Sequence, residues 1–444
     1  MMCRLEQVKV MKAAFGRVSI TPPINGTFPD FFFQIEGVLD EIYARVAILD
    51  VGSLPVVIVA LDVLGVGVAE MIDLETALSE KVGISPERIW ITGSHSHSAP
   101  ILCPIDLYGG FSPYLIGLKT RLVNLVVDLL QKLKPISIQF GRSTCNFNVN
   151  RRRIDENGNC SMAPNPDGIV DKSVPVISCR NEDGILVGVF FSYCCHPTIL
   201  LGPKISGDYP GWAQLLLEKE YDSTVALFLP GVFGNIRPHL EGGDSFRLGT
   251  ESDVISCGQK LAEAVQDGMQ NCRDLSIDAI YAWRSKPQLP IDKPLSNDEL
   301  DYIATQSIES QRKNDTSRSW RDSFHIAQRQ WVQQVRLENA EGHRPSYQTY
   351  TFSRLQLGEL NWVGLSGEFF LEYGTYVQQL GGSETTLAFG YTQGCQTYVP
   401  TAEALMQGGY EVEAYKRWKQ SAPFKPEVEE VVKEAIVDLI NSRP

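Results

Sequence analysis

Ile91-Thr92-Gly93-Ser94-His95-Ser96-His97-Ser98-Ala99-Pro100 carries the chain from an apolar run into a histidine pair. The run from Arg88 to Thr92 reads as a buried strand, so the pair stands at the mouth of a sheet. The chain has six histidines, and two of them are here with one residue between them. In extended backbone, residues two apart point to the same face. His95 and His97 therefore address one place, where both bind a metal or one binds it and the other reaches a substrate. The surrounding serines and glycine leave room for a small molecule. Two loop histidines bonded to their neighbours are the plainer alternative.

Outward from this strand the periodicity alternates. Upstream, Phe15 to Thr21 reads as a strand stopped by Pro22-Pro23. Glu41 to Leu49 and Leu54 to Leu61 read as two strands around a turn containing Gly52, and Met71 to Lys81 as a helix. Downstream, Tyr114 to Leu133 has helical spacing, closed by Pro135. Val174 to Cys179 and Ile185 to Cys195 form a hairpin across Asn181-Glu182-Asp183-Gly184. Tyr209 to Tyr221 reads as a helix with Pro210 near its start, Val225 to Leu229 as a strand, and Ser252 to Val265 as a helix. Tyr347 to Leu357 and Asn361 to Leu365 return to strand patterning, and Glu427 to Asn441 closes with an amphipathic helix. Ser296 to Glu341 is polar and reads as one or two surface helices covering the core or contacting a partner. No internal repeat, coiled coil or low-complexity linker stands out. The expectation is one large α/β domain over 1–444, a mixed-sheet core with surrounding helices and a polar helical insertion near 296–341.

Composition narrows the function. Hydrophobic residues make up 43% of the 444, net charge is -13 and the pI is about 5.1. That charge argues against nucleic acid as the main partner. The ten cysteines include no CxxC and read as reduced thiols of a cytoplasmic protein. Met1 to Lys12 lacks the apolar segment of a secretion signal, and no run spans a membrane, so stable membrane insertion is not expected. There is no Gly-x-Ser-x-Gly elbow and no P-loop, and Gly65 and Gly67 lack the three-glycine nucleotide fingerprint. A small-molecule substrate is the expected partner, and a homo-oligomer stays open.

More candidates lie at strand ends. His196 follows an apolar strand in Tyr193-Cys194-Cys195-His196-Pro197-Thr198, and Glu368 follows another beside Gly367. Two histidines and a glutamate suit zinc with an open position, where the ion polarises a carbonyl and lowers the pKa of bound water. Asp208, in Gly207-Asp208-Tyr209-Pro210-Gly211, either caps a helix or orients a liganding histidine. Arg151 lies in the cluster Asn150-Arg151-Arg152-Arg153. It either holds a carboxylate or amide oxygen or belongs to a solvated loop. Arg237 follows a strand and two glycines and either points into the same crevice or lies on a surface loop.

Together these segments resemble, in order, the catalytic domain of the neutral/alkaline (non-lysosomal) ceramidases. Phe15-Gly16-Arg17-Val18-Ser19-Ile20-Thr21-Pro22 is similar to the opening strand of that family. Ser94-His95-Ser96-His97-Ser98-Ala99-Pro100 resembles its Thr-His-Thr-His-Ser-Gly-Pro signature, and Asn150-Arg151 its Asn-Arg-Ser element. His196-Pro197-Thr198, Gly207-Asp208-Tyr209-Pro210-Gly211-Trp212-Ala213, Gly367-Glu368 and Tyr398-Val399-Pro400-Thr401 follow. The resemblance implies amide hydrolysis of N-acylsphingosines at a zinc centre. By motif, it makes His95, His196, Glu368 and Tyr398 the ligands of Zn2+, and His97 a substrate contact or oxyanion donor. It also gives Arg151 and Tyr410 to the substrate.

The departures redirect the reading. Gly234-Asn235-Ile236-Arg237-Pro238 stands where the family carries Gly-Asp-Val-Ser-Pro, with the serine as nucleophile. An arginine is a donor and a cation, not a nucleophile. Attack by water activated at zinc is then the simpler expectation. Arg237 would hold a substrate carboxylate or phosphate, stabilise charge at the reacting carbonyl, or block an obsolete site. No counterpart of the family's immunoglobulin-like C-terminal domain is expected here, which would weaken ceramide as the substrate. The sequence thus predicts a zinc-dependent hydrolase of an amide bond in a small polar or anionic substrate. Asp208 orients a ligand or moves a proton in this scheme. The alternatives are an ester or lactone hydrolase, a true ceramidase, and a non-catalytic binding or scaffold protein.

Overall fold

Three sheets are built on one plan. In the first, Lys12–Ser19, Tyr43–Asp50 and Val56–Leu61 run antiparallel in turn. After helix Val68–Val82, strand Ile89–Gly93 returns parallel to Val56–Leu61. Helix Pro113–Leu130 then leads to the short edge strand Lys134–Pro135, which pairs with Lys12–Ser19. The second sheet repeats the order. Strands Ser137–Thr144, Ser173–Arg180 and Leu186–Phe191 are antiparallel, helix Asp208–Glu220 follows, and Val225–Phe228 returns parallel. Helix Glu251–Gln270 and edge strand Cys272–Leu275 complete it. The third uses Ile280–Ser285, Phe352–Leu357 and Leu360–Leu365, then helix Leu371–Gly381, parallel strand Thr386–Phe389 and helix Val428–Asn441. These elements come from a computed structural model that describes residues 10–23, 35–52, 54–102, 113–240, 243–313 and 320–443.

Side-chain alternation explains how the sheets stack. In Val56–Leu61 every residue is buried. Val57, Val59 and Leu61 pack under the helices of their own unit, while Val56, Ile58 and Ala60 face a core shared by all three sheets. A strand covered on both faces reads as a continuous apolar run rather than an alternating one. The shared core is aromatic. Trp362 lies 5.4 Å from Phe190 and 6.4 Å from Trp90, ring centre to ring centre, so the three units meet edge to face there. Truncating any of these rings would cost about 3–5 kcal/mol.

The mixed α/β class follows the sequence, and the strands and helices read from Phe15 to Leu365 correspond to observed ones. Three expectations change. A repeat exists, as a shared topology that no shared residue pattern announces. The cluster Asn150 to Arg153 is not a solvated loop but part of strand Asn148–Ile154, where Arg151 and Arg152 are 4% and 5% exposed. The polar stretch forms helices Asn297–Lys313 and Trp320–Glu341, between the first and second strands of the third unit. It is not wholly superficial, because Trp331 is fully buried and donates to the Gln420 carbonyl at 2.7 Å. The N-terminal reading falls largely outside the described residues. Among those described, no helix is long and apolar enough to cross a membrane.

Candidate metal centre

Within each unit the third strand and the parallel strand run the same way, and His95, His196 and Glu368 each follow the end of one of them. His95 lies just past strand Ile89–Gly93, with φ 68°. Its amide donates to the Val63 carbonyl at 2.9 Å, and its Nδ1 lies 2.7 Å from the Leu64 carbonyl. His196 Nδ1 lies 2.8 Å from both the Phe233 and Ile236 carbonyls. A carbonyl only accepts, so in each ring Nδ1 carries the proton and Nε2 presents a lone pair.

Both lone pairs face a carboxylate. Glu368 Oε2 is 3.1 Å from His196 Nε2 and 3.3 Å from His95 Nε2. All three side chains are at least 99% buried. Acceptor facing acceptor in a dry site is repulsive unless a proton or a cation lies between them. Protonation is disfavoured at His196, where burial and the nearby Arg151 charge push the pKa down to about 3. A cation held by all three groups would resolve the conflict. Ligand atoms 2.0–2.1 Å from a tetrahedral zinc stand about 3.3 Å apart, and the spacing here matches. Ring nitrogens of His95, His97 and His196 also lie within 4.8 Å of one another. The residues present thus fit a metal ion.

Around this core the remaining candidates divide. Tyr398 is buried, with its hydroxyl 3.4 Å from His196 Nε2 and its ring stacked on that imidazole at 6.2 Å. Burial and the Glu368 charge raise its pKa well above the usual phenol value, while Arg151 opposes them by charge and by hydrogen bonding. His97 is half-buried. Desolvation, followed by the charges of His95 and His196, holds it well below the usual imidazole value, so it is a neutral ring. Arg151 donates from Nε to Glu411 at 2.7 Å and from an Nη to the Gly234 carbonyl at 2.7 Å. It also lies over the Tyr398 and Tyr410 rings, at 5.2 and 5.6 Å. Arg237 is half-buried. Its guanidinium lies 4.3 Å from the Phe246 ring centre and donates to the Met162 sulfur at 3.8 Å. No carboxylate among the described residues pairs with it. Burial and Arg151 lower its pKa to about 10, so it stays a cation at neutral pH.

Asp208 orients neither His95 nor His196, whose Nδ1 atoms are held by carbonyls. Its carboxylate accepts from the amides of Leu200 and Tyr209, at 2.9 and 2.7 Å. It is the first residue of its helix, with φ 55°, rather than the cap. It braces the chain behind the histidine pair, where Ser98 Oγ donates to the Leu200 carbonyl and Ser96 Oγ to the Ser206 carbonyl.

Two residues escaped the sequence reading. Tyr391 places its hydroxyl 3.3 Å from Glu368 Oε2 and 3.5 Å from His196 Nε2. It follows strand Thr386–Phe389, which was not expected from the sequence, and a lone tyrosine there carries no chemical signal. Glu411 accepts from Arg151 and from Arg152, each at 2.7 Å. It had no signal, since a lone glutamate after a glycine pair reads as surface.

The same arrangement of units occurs in solved proteins. The crystal structure of neutral ceramidase from Pseudomonas aeruginosa superposes with a TM-score of 0.69 over 97% of this chain and 74% of that one, at 17% identity. A ceramidase complexed with C2 gives 0.70, 97%, 75% and 16%. The fold is that of a neutral ceramidase. In sequence, the neutral ceramidases of Drosophila pseudoobscura pseudoobscura and Drosophila melanogaster are each 24% identical over 277 and 279 residues. Those stretches cover 55% of this chain and only 38% of each fly ceramidase. No protein-family model matches the chain. On this ceramidase-like frame, the buried His-rich cluster is a site able to hold a metal.

Proposed function

We propose that the protein is a zinc-dependent hydrolase of an amide C–N bond in a small polar or anionic substrate. One observation carries the reading. Two imidazole lone pairs and a carboxylate oxygen face one another at 3.1 and 3.3 Å in a fully buried site, on a frame shared with ceramidases. His95, His196 and Glu368, with Tyr398, would hold the ion. Zinc, when bound, polarises a carbonyl and supplies water of lowered pKa. The neutral His97 ring offers an N–H to the oxyanion of a tetrahedral intermediate. Arg151 is engaged by Glu411 and acts on Tyr398 and Tyr410, which shapes the substrate wall. Arg237, which pairs with no carboxylate among the described residues, offers a cation to an anionic group.

Arg237 also speaks against ceramide. It stands where the resembled family has its serine, and an arginine brings a charge rather than a nucleophile to that position. The same proposal includes a cytoplasmic location, which fractionation of cells expressing the tagged chain would check.

Metal analysis and hydrolysis of matched acyl amides and esters test the function. The expected result is about one zinc per chain and amide cleavage that falls at least about 10³-fold in His95→Ala, with the metal lost. Protein that binds no zinc after supplementation ends the catalytic reading. Turnover of esters alone, or of long-chain ceramide in detergent, replaces the amide or the small-substrate part of it.

A further inference from the structure

We propose that Tyr391 is a positioning residue of the metal centre, fixing Glu368 through its hydroxyl and His95 through its ring. The inference rests on the metal-centre reading above. It starts from the repeated topology. His95 follows the parallel strand of the first unit and Tyr391 that of the third, each two residues past the strand end. The His95 amide donates to Val63, the second residue after Val56–Leu61, at 2.9 Å; the Tyr391 amide donates to Gly367, the second residue after Leu360–Leu365, at 3.2 Å. Both residues adopt positive φ, 68° and 54°. That conformation is uncommon for a bulky side chain and persists where surroundings impose it. Tyr391 and His95 thus occupy one structural position in two units, and both turn into the same site.

The contacts define what Tyr391 does there. It is 1% exposed, and its ring centre lies 4.2 Å from that of His95 and 4.6 Å from that of Phe233. Its hydroxyl faces Glu368 Oε2 at 3.3 Å. An ionised carboxylate only accepts, so the Tyr391 hydroxyl donates. Tyr398 differs, because its hydroxyl meets Arg151, which only donates. Tyr398 thus accepts from a cation, whereas Tyr391 donates its proton to the carboxylate. Partners of that kind orient metal ligands and raise affinity for the ion.

Tyr391→Phe keeps the ring and removes the hydroxyl. Zinc affinity, measured by competition with a chromogenic chelator, should weaken by about 10- to 100-fold, while the unfolding midpoint of the metal-free protein stays at its wild-type value. Unchanged zinc affinity in the folded variant overturns the proposal. Copper(II)-loaded protein supplies a spectroscopic arm. A phenolate charge-transfer band should persist in Tyr391→Phe and vanish in Tyr398→Phe; its loss in Tyr391→Phe would make Tyr391 a ligand and overturn the positioning role. Should Tyr391→Phe fail to fold, 4-aminophenylalanine at 391 keeps both ring and donor. Affinity near wild type then supports the role, and a loss of tenfold or more overturns it. Wild-type protein that binds no zinc removes the metal-centre reading itself, a result distinct from any of these.

Discussion

Arg151 and Arg237 lie on neighbouring strands of one small sheet, and their surroundings are opposite. Strand Asn148–Ile154 pairs with Ile236–Pro238, with Val149 opposite Arg237. Arg151 is buried, and it shares Glu411 with Arg152. Its charge is spent inside the protein, where it braces the Tyr398 segment. Arg237 meets an aromatic face and a thioether, and no carboxylate among the described residues. The same side chain is a cross-brace in one place and an open cation in the other. Position along the chain does not tell these apart; the partner does.

Removing the partner should expose the difference most strongly. Glu411→Gln leaves two buried guanidinium groups without a counter-charge and should destabilise the fold by about 3–5 kcal/mol, read from denaturant midpoints. A loss below about 1 kcal/mol, the value of an exposed pair, would break the comparison. Arg237→Ala should do the reverse. Its unfolding midpoint should stay near wild type, while KM for a carboxylate-bearing amide rises about 10- to 100-fold, the equivalent of a charged hydrogen bond of roughly 1.5–3 kcal/mol. An equal rise for the neutral amide of the same substrate would make Arg237 a structural residue after all.

The acids give the smallest and subtlest effect. Glu411 is met by two cations, whereas the Asp208 carboxylate is met by backbone amides. Burial pushes the Asp208 pKa from 3.8 up to about 7, with the Asp40 charge adding to it. A carboxyl raised on folding contributes stability that is fully present below its unfolded pKa and lost as pH rises through its folded one. Unfolding free energy should therefore decline from about pH 4 to about pH 7 on this account. Asp208→Asn, compatible with φ 55°, should flatten that slope in a pH series of urea midpoints. An unchanged slope would place the titration elsewhere.

Much of the site was legible because strand ends follow a simple grammar. His95, His196 and Glu368 each follow an apolar run that reads as a strand, and ligands bind outside the carboxyl ends of strands in many α/β sheets. Tyr398 came only from the resemblance, since a tyrosine after a threonine carries no chemical signal. Glu411 and Tyr391 were hidden for different reasons. Glu411 matters through contacts with strand Asn148–Ile154, far away in sequence. Tyr391 matters through a topological equivalence with His95 that the residues themselves do not encode. The threefold plan stayed invisible for the same reason, compounded by insertions of unequal length between the first and second strands of each unit. The pattern of burial survives between units, but the identity of the buried residues does not.

The division of the candidate ligands among units has a consequence for the order of events in folding. His95 belongs to the first unit, His196 to the second and Glu368 to the third. No pair of neighbouring segments can assemble the centre, and the loops to be closed run across most of the chain. Any one unit alone supplies only part of the set, the first no more than His95 and His97. Tight metal capture is then a certificate of completion, issued only when all three sheets have met.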